Sequence, residues 1–176
     1  GEHQAINLAA AIAAAELAPP IAERLSEQVV RDAVAEVRWP GRMELIPGKP
    51  DILLDGAHNP ASIERLIAGI AAHFPDRPVV FVFGAAEDKN IRGMLAKISG
   101  TCWPVIFTPT QSPRSAQPGD LEAQFAKCKG RDARAAADIR EAITEARAKA
   151  GAEGLIVITG SLYLVGEAKV LPEQNG

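Results

Sequence analysis

Four side chains capable of chemistry stand where the sequence changes from one pattern to another. Asp55 and His58 follow one apolar run, Ser161 follows a second, and Arg42 lies in a Trp-Pro-Gly-Arg turn. A carboxylate can hold a ribose hydroxyl or a cation, an imidazole can donate to an anion, and a guanidinium suits bidentate contact with phosphate. Structural alternatives stay open for each: an Asp-Gly turn, a helix cap, or a solvated surface arginine.

A buried strand and the helix after it must hold Asp55 and His58 in place. The strand is the apolar run 52–54, which ends at an Asp-Gly pair. Asn59 then predicts an N-cap and Pro60 the first helical position, because the N–H that proline lacks would have no partner there anyway. One apolar stripe follows at helical spacing: Ile63, Leu66, Ile67, Ile70 and Phe74. The free N–H groups and the helix dipole at such a junction favour an anionic ligand.

The rest of the chain alternates apolar runs with helical patterns. Short links between them predict a three-layer, Rossmann-like α/β fold with a mostly parallel sheet. The short turn after 43–46 makes that strand an antiparallel edge. Asp88 is expected to cap the helix that follows it. Further strands are predicted at 78–83, 103–108, 132–136 and 154–159. The carboxyl edge of the sheet then gathers these side chains: Asp55, His58, Asp88, Lys89, Ser161 and Arg42.

The amino-terminal segment predicts helices distinct from the α/β unit. Residues 4–17 are rich in alanine, the residue with the highest helix propensity. Pro19 and Pro20 end this helix and begin a second one, in which four residues share a face: Ile21, Leu25, Val29 and Ala33. We therefore expect a short helical segment over 1–33, a linker over 34–42 and the α/β domain over 43–176.

Composition and charge exclude several classes of protein. The 176 residues are 47% apolar and carry a net charge of -3 with mixed signs, so no basic field exists for nucleic acid or an anionic membrane. No run approaches the ~18 apolar residues of a membrane span. Cys102 and Cys128 fit a reduced pair, and a cytoplasmic protein is expected. The sequence has no phosphate loop, no dinucleotide fingerprint and no metal-ligand spacing, so no metal ligand is predicted in this chain.

Six short motifs, taken in order along the chain, resemble one enzyme family. The motifs are Gly1–Asn7, Trp39–Glu44, Leu54–Pro60, Phe83–Gly84 with Asp88–Lys89, Pro113–Arg114, and Thr159–Tyr163. Together they are similar to the carboxyl-terminal third of folylpolyglutamate synthase and of its bifunctional dihydrofolate synthase form, which belong with the Mur ligases. The likeness spans nearly the whole chain. Asn90 departs from the family, which usually has an acidic residue at that position.

The resemblance implies ATP-dependent amide ligation. ATP phosphorylates a folate carboxylate, and the amino group of L-glutamate displaces phosphate from the acyl phosphate, with Mg²⁺ neutralising phosphate charge. By the same resemblance, Asn7 contacts adenine, Arg42 the phosphates and Asp55 the ribose. His58 and Ser161 match positions that bind the incoming glutamate, so Arg42 and His58 are the expected catalytic residues.

The resemblance also implies a division of labour between domains. The phosphate loop, the magnesium ligands and most of the folate site belong to a central ATPase domain, of which residues 1–33 look like the last helices. We therefore expect a monomeric enzyme whose isolated carboxyl-terminal chain is inactive. Two alternatives stay open: the terminal domain of a muramyl-peptide ligase, and a non-catalytic ligand-binding module. Whether dihydropteroate is also a substrate is left undecided.

Overall fold

The computed structural model describes residues 2–171, with side chains from residue 4 onward, and its chain divides into two compact units. The first unit is Gly1–Trp39 and the second is Pro40–Gly176. The first contains helices α1 (Glu2–Glu16), α2 (Pro19–Ala22) and α3 (Glu27–Glu36). The predicted helical character of this segment is thus present.

The single second helix predicted after Pro20 is wrong, because the chain breaks it at Ser26. The Ser26 hydroxyl accepts a hydrogen bond from the Val29 N–H at 3.2 Å and so caps a new helix, α3. Ile21 and Leu25 therefore do not share a continuous helical face with Val29. Helix α3 also runs to Glu36, inside the segment predicted as a linker, since no helix-breaking residue occurs before Pro40.

The second unit is built around a six-stranded sheet in the order β1-β2-β6-β3-β4-β5. Its strands are β1 (Glu44–Ile46), β2 (Asp51–Leu54), β3 (Val79–Phe83), β4 (Val105–Phe107), β5 (Ala133–Ala135) and β6 (Leu155–Thr159). Among these six described strands, only the pairing of β1 with β2 is antiparallel, and the other strand pairings are parallel. The predicted mostly parallel sheet with one antiparallel edge strand is confirmed.

Five helices cover the two faces of the sheet and complete three layers. They are α4 (Pro60–His73), α5 (Ile91–Ser99), α6 (Pro118–Lys127), α7 (Ile139–Ala150) and α8 (Leu162–Val170). Leu53, Phe81 and Val157 bury one face of the sheet against α4, α5 and α6. The neighbouring strand residues point to the other face and pack against α7 and α8. The central strands are therefore continuous apolar runs, as expected for strands covered on both faces.

Local capping fixes where the helices beside the site begin. Asn59 accepts from the Ser62 N–H at 2.9 Å, and the Ser62 hydroxyl accepts in return from the Asn59 N–H at 3.1 Å. Pro60 occupies the first position of α4, as predicted. Asp88, in contrast, does not cap α5. That helix begins at Ile91, and Asn90 caps it by accepting from the Gly93 N–H at 3.0 Å.

Among the helices within residues 2–171, none combines the length and the apolar character that a bilayer-spanning helix requires.

Candidate functional site

The loops that follow β2, β6 and β3 meet at the carboxyl edge of the sheet, because β6 lies between the other two strands. The Gly160 N–H donates to the Ala57 carbonyl at 3.0 Å, and the Gly84 N–H donates to the Thr159 carbonyl at 3.3 Å. Gly160 has a φ of 101°, and an added Cβ would collide with the Gly84 carbonyl. We call this edge, formed by residues 41–43, 55–59, 84–90 and 160–163, the carboxyl rim.

Arg42 lies on the carboxyl rim in a turn with two left-handed residues. Gly41 has a φ of 69° and Met43 a φ of 46°. The Gly41 carbonyl accepts from the Gly56 N–H at 2.8 Å, which ties the turn to the end of β2. The half-buried Arg42 side chain consequently lies beside Gly56, where an added Cβ would be 3.5 Å from Arg42 Nη1. The turn thus presents a guanidinium, the group best suited to phosphate, at the edge where α/β sheets bind ligands.

Asp55 fixes the turn that carries Arg42. Its Oδ2 accepts from the Met43 N–H at 2.9 Å and its Oδ1 accepts from the Ala57 N–H at 2.9 Å. The residue is only 9% exposed. Both carboxylate oxygens keep a further acceptor site, so contact with a ribose hydroxyl stays a prediction for this side chain. The contacts within the chain are those of an anchor for the Arg42 turn.

The imidazole of His58 has one nitrogen committed to the backbone. Its Nδ1 lies 2.8 Å from the Gly56 carbonyl oxygen, and a carbonyl can only accept, so Nδ1 carries the proton. In the neutral ring Nε2 is then the nitrogen with a free lone pair. His58 N–H also donates to the Ser62 hydroxyl at 3.1 Å, within the cap of α4. The ring is therefore held at the helix amino end with Nε2 able to accept a proton or bind a polar ligand.

Ser161 is the N-cap of α8. Its hydroxyl accepts from the Tyr163 N–H at 3.1 Å, and the residue is 8% exposed. The capping alternative raised by the sequence is thus present in the structure. The hydroxyl hydrogen stays available to donate to a ligand, so glutamate binding by Ser161 remains a prediction.

Asp88 is the centre of an ion-pair cluster farther along the carboxyl rim. Its Oδ2 lies 3.2 Å from Lys89 Nζ and 3.1 Å from Arg114 Nη1. The hydrogen bond from Lys89, together with the charge of Arg114, holds the pKa of the Asp88 carboxyl below its usual range. The Glu87 N–H donates to the Arg114 carbonyl at 2.8 Å, which joins the loop after β4 to the loop after β3.

The structure brings together all six side chains that the sequence assigned to this edge. Five of them follow the carboxyl ends of strands: Asp55, His58, Asp88, Lys89 and Ser161. Arg42 joins them because its turn is bonded to the end of β2. Asn7 is different, because it lies in the helical unit Gly1–Trp39, on α1, where its exposed amide donates to Gln4 Oε1 at 3.3 Å. Its predicted contact with adenine stays a prediction.

Two charged residues that support the carboxyl rim were not identified from the sequence. Glu44 Oε2 accepts from the Gly41 N–H at 2.7 Å, and Glu44 Oε1 accepts from Lys169 Nζ at 2.5 Å. These bonds, that from Lys169 first, lower the pKa of the Glu44 carboxyl. Glu44 stands within the Trp39–Glu44 motif, so that motif was a usable signal. Lys169 is 125 residues away and has no local signal.

The residues of the carboxyl rim fit a nucleotide better than they fit a metal ion. The Arg42 guanidinium suits a phosphate group. Within the part of the chain that the structure describes, no three His, Cys, Asp or Glu side chains converge as metal ligands. Asp88, an exposed carboxylate of the carboxyl rim, is paired with two cations.

The fold defines a domain of the open α/β class, a class that binds ligands at the carboxyl edge of its sheet. The chain belongs to the family described as Mur ligase, glutamate ligase domain, which it matches over residues 41–162. It is 30% identical over 171 residues to the dihydrofolate synthase/folylpolyglutamate synthase of Bacillus subtilis, covering 96% of this chain and 39% of that protein. The chain thus spans about two fifths of the length of this relative.

Solved structures show the same relationship. Folylpolyglutamate synthase of Mycobacterium tuberculosis complexed with ADP aligns with a TM-score of 0.76 and 31% identity, over 82% of this chain and 35% of that one. A bifunctional folylpolyglutamate synthase/dihydrofolate synthase with Mn, AMPPNP and L-glutamate bound aligns with a TM-score of 0.72 and 28% identity, over 82% of this chain and 34% of that one.

A relative by sequence comes from another branch of ligases. A diaminopimelate-adding muramyl ligase of Alkalilimnicola ehrlichii is 28% identical over 165 residues, or 91% of this chain and 32% of that protein.

Proposed function

We propose that this chain is the carboxyl-terminal part of an ATP-dependent ligase that adds L-glutamate to folate through an acyl phosphate. The observation that carries the proposal is the placement of both Arg42 and His58 beside Gly56. Arg42 Nη1 lies 3.5 Å from the position that a Cβ on Gly56 would take, and His58 Nδ1 is 2.8 Å from the Gly56 carbonyl oxygen. A group suited to phosphate and a group suited to an amino acid therefore both lie near one residue that follows β2.

The chemistry needs two such groups close together. In the first step a folate carboxylate oxygen attacks the γ-phosphorus of ATP, forming an acyl phosphate and releasing ADP. In the second step the glutamate amine attacks the acyl carbon, the amide bond forms, and inorganic phosphate leaves. Because an ammonium group is not nucleophilic, the glutamate ammonium must lose one proton before it attacks, and the attacking nitrogen loses a second proton as the amide forms.

We assign a role to each rim residue in that scheme. Arg42 contacts the phosphates and stabilises their charge during transfer, and Asp55 holds the ribose as well as the Arg42 turn. His58 binds the glutamate and accepts the proton of its amine at Nε2, while Ser161 donates to the glutamate carboxylate. Asn7 contacts adenine. The relatives named above support these roles through the ADP, AMPPNP and L-glutamate in their descriptions.

The magnesium ligands are proposed to lie in a central ATPase domain outside this chain, with residues 1–33 as the last helices of that domain. Bound Mg²⁺ would neutralise phosphate charge. Manganese in one related structure supports a divalent cation. We also propose that the protein is a monomer and that it lies in the cytoplasm. The free thiols of Cys102 and Cys128 support the cytoplasmic location. Use of dihydropteroate as a second substrate is part of the same proposal, since the relatives include bifunctional enzymes.

The direct test measures phosphate release with ATP, L-glutamate and tetrahydrofolate. We expect release by the complete ligase and none above background by the isolated chain. Turnover by the isolated chain would show that the proposed division between domains is wrong.

A second experiment tests His58 within the complete ligase. His58→Ala should lower kcat/KM for glutamate by about 100-fold, the scale of a lost general base. The matched control is His73→Ala, which removes an exposed imidazole from the last turn of α4 and should leave the rate unchanged. Normal glutamate kinetics in His58→Ala would favour a non-catalytic module.

A muramyl-peptide ligase is the second candidate, favoured by the family description and by the diaminopimelate-adding relative. Phosphate release measured with folates and with uridine diphosphate muramyl peptides separates the two. We expect activity with folates only. Activity with the muramyl peptides alone would replace the folate assignment.

A further inference from the structure

We propose that helix α8 positions Arg42, with Lys169 acting through Glu44 and with Leu162 and Val165 packed on the Arg42 turn. This inference rests on the proposed contact of Arg42 with the nucleotide phosphates. It assigns positioning roles to residues that do not themselves touch a substrate. Three separate contacts support it.

The first two contacts are apolar and involve glycines. An added Cβ on Gly41 would lie 3.0 Å from Val165 Cγ1 and 3.5 Å from Leu162 Cδ2, so both side chains cover the turn directly. An added Cβ on Gly56 would lie 2.8 Å from Leu162 Cγ and closer still to its Cδ2. Leu162 therefore occupies the space above Gly56 in which Arg42 Nη1 also lies, and it limits where the guanidinium can go.

The third contact is polar and reaches the turn from the other end of α8. Lys169 Nζ donates to Glu44 Oε1 at 2.5 Å, and Glu44 Oε2 accepts from the Gly41 N–H at 2.7 Å. The side chains of Glu44 and Lys169 are 26% and 43% exposed. A pair this exposed contributes little to stability by itself. Its consequence is geometric, because the Lys169 ammonium selects the Glu44 rotamer that binds Gly41.

These contacts give both ends of α8 a role at the carboxyl rim. The helix begins at its N-cap Ser161, which we assign to glutamate, and Leu162, Val165 and Lys169 follow at spacings of three and four along one face. The same rigid element thus carries the glutamate contact and supports the phosphate contact. Arg42 and Ser161 would move together rather than independently.

The kinetic test uses Lys169→Met in the complete ligase. We expect the KM for ATP to rise by about 3- to 10-fold, as for contacting residues in one hydrogen-bonded network. Lys169→Arg should restore it, because arginine also donates to Glu44. In an Arg42→Ala background, Lys169→Met should cause no further change, since it acts only through Arg42. Full additivity of the two substitutions would overturn the proposal.

The matched control is Lys149→Met. Lys149 also lies in the last turn of a helix and pairs with a carboxylate, Asp132, at 2.8 Å, but beside the amino end of the edge strand β5. It should leave the KM for ATP within twofold of the wild-type value. An equal rise in Lys149→Met and Lys169→Met would show a general effect of lost surface charge and overturn the assignment.

A structural measurement separates this proposal from the proposed function. Hydrogen exchange of the Gly41 and Met43 amides in the complete ligase should be at least about threefold faster in Lys169→Met and unchanged in Lys149→Met. Unchanged exchange in Lys169→Met would overturn the positioning role. If Arg42→Ala leaves the KM for ATP unaltered, the phosphate role of Arg42 fails, and faster exchange in Lys169→Met would still support α8 as the support of the turn.

Discussion

Arg42 and Arg77 lie at opposite edges of the same sheet and use their guanidinium groups in opposite ways. Arg77 Nη1 lies 2.7 Å from Asp51 Oδ2, its Nε donates to the Glu153 carbonyl at 2.9 Å, and its Nη2 donates to the Gly154 carbonyl. It thereby joins the amino ends of β2, β3 and β6. Within residues 40–171, no acceptor pairs with the Arg42 guanidinium, and only the backbone of its turn is held at the carboxyl ends, through Gly41 and Met43.

The difference indicates how a structural arginine is distinguished from a binding one. An arginine whose fork is filled by carboxylate and carbonyl oxygens stabilises the fold and has few donors left for a ligand. An arginine fixed by its own backbone, with open donors at the edge where α/β sheets bind ligands, is prepared for an anion before the anion arrives.

The largest expected effect is on catalysis by Arg42→Ala. In the complete ligase kcat/KM for ATP should fall by about 100-fold, because the phosphates lose a charged donor. The free energy of unfolding should stay within about 0.5 kcal/mol of the wild type, since no internal partner is lost. Steady-state kinetics and urea unfolding of the same variant provide the two numbers. If Arg42→Ala lowered the free energy of unfolding by more than it raised the activation free energy, Arg42 would be a structural arginine like Arg77.

Arg77→Ala should show the reverse pattern. Removing the guanidinium leaves the Asp51 carboxylate and two carbonyls without their donor, so the free energy of unfolding should fall by about 2 kcal/mol. Circular dichroism during urea unfolding measures the loss. The KM for ATP of the folded ligase should not change. A raised KM for ATP at full folding would show that the two edges of the sheet are not functionally separate.

The sequence identified most of the carboxyl rim because short-range rules place it. The strand-to-helix pattern located Asp55, His58 and Ser161, and the Asn59–Pro60 pair set the start of α4. Asp88 was mistaken for a cap because aspartate and asparagine both cap helices, and the choice between Asp88 and Asn90 depends on the ion pair with Arg114, a tertiary contact.

What the sequence missed depends on contacts between distant residues. Ser26 is a favourable N-cap residue, but it lies in the middle of an apolar stripe with helical spacing. The spacing predicts one continuous helix, whereas the cap starts a new one. Lys169 reaches Glu44 across 125 residues, and Arg77 reaches Glu153 across 76. Neither arrangement leaves a local pattern, because the folded sheet alone brings these residues together.

The pH dependence of stability should report on the Arg77 edge. The hydrogen bond from Arg77, and then that from the Gly48 N–H, hold the pKa of Asp51 below its usual range. The stability that ionised Asp51 provides is therefore present above its unfolded-state pKa, about 3.9, and is lost as the pH falls through the lower folded-state pKa.

Asp51→Asn should accordingly cost about 1 kcal/mol at pH 7 and progressively less in acid. Urea unfolding between pH 7 and pH 2 measures the difference. In an Arg77→Ala background the difference should shrink at pH 7, because the main partner of Asp51 is gone. A constant difference at every pH would mean that ionisation of Asp51 does not stabilise the amino edge.

Ser161 provides the finest test, because it both caps a helix and lies on the carboxyl rim. Ser161→Ala should cost about 1 kcal/mol of stability, and Ser161→Gly only a few tenths, since glycine is a tolerable N-cap and the extended backbone at φ -158° suits any residue. If the hydroxyl also binds glutamate, the KM for glutamate should rise about equally in both variants, despite their different stabilities. Asp138→Gly, at the N-cap of α7 beside the edge strand β5, controls for loss of a cap and should leave that KM unchanged. If the KM for glutamate follows stability across these three variants, Ser161 serves the fold, as Arg77 does. If the KM rises equally in Ser161→Ala and Ser161→Gly while their stabilities differ, Ser161 contacts the substrate, as proposed for Arg42. The two variants lack the same hydroxyl but cap the helix with different strength, so an equal rise in KM can come only from the lost hydroxyl.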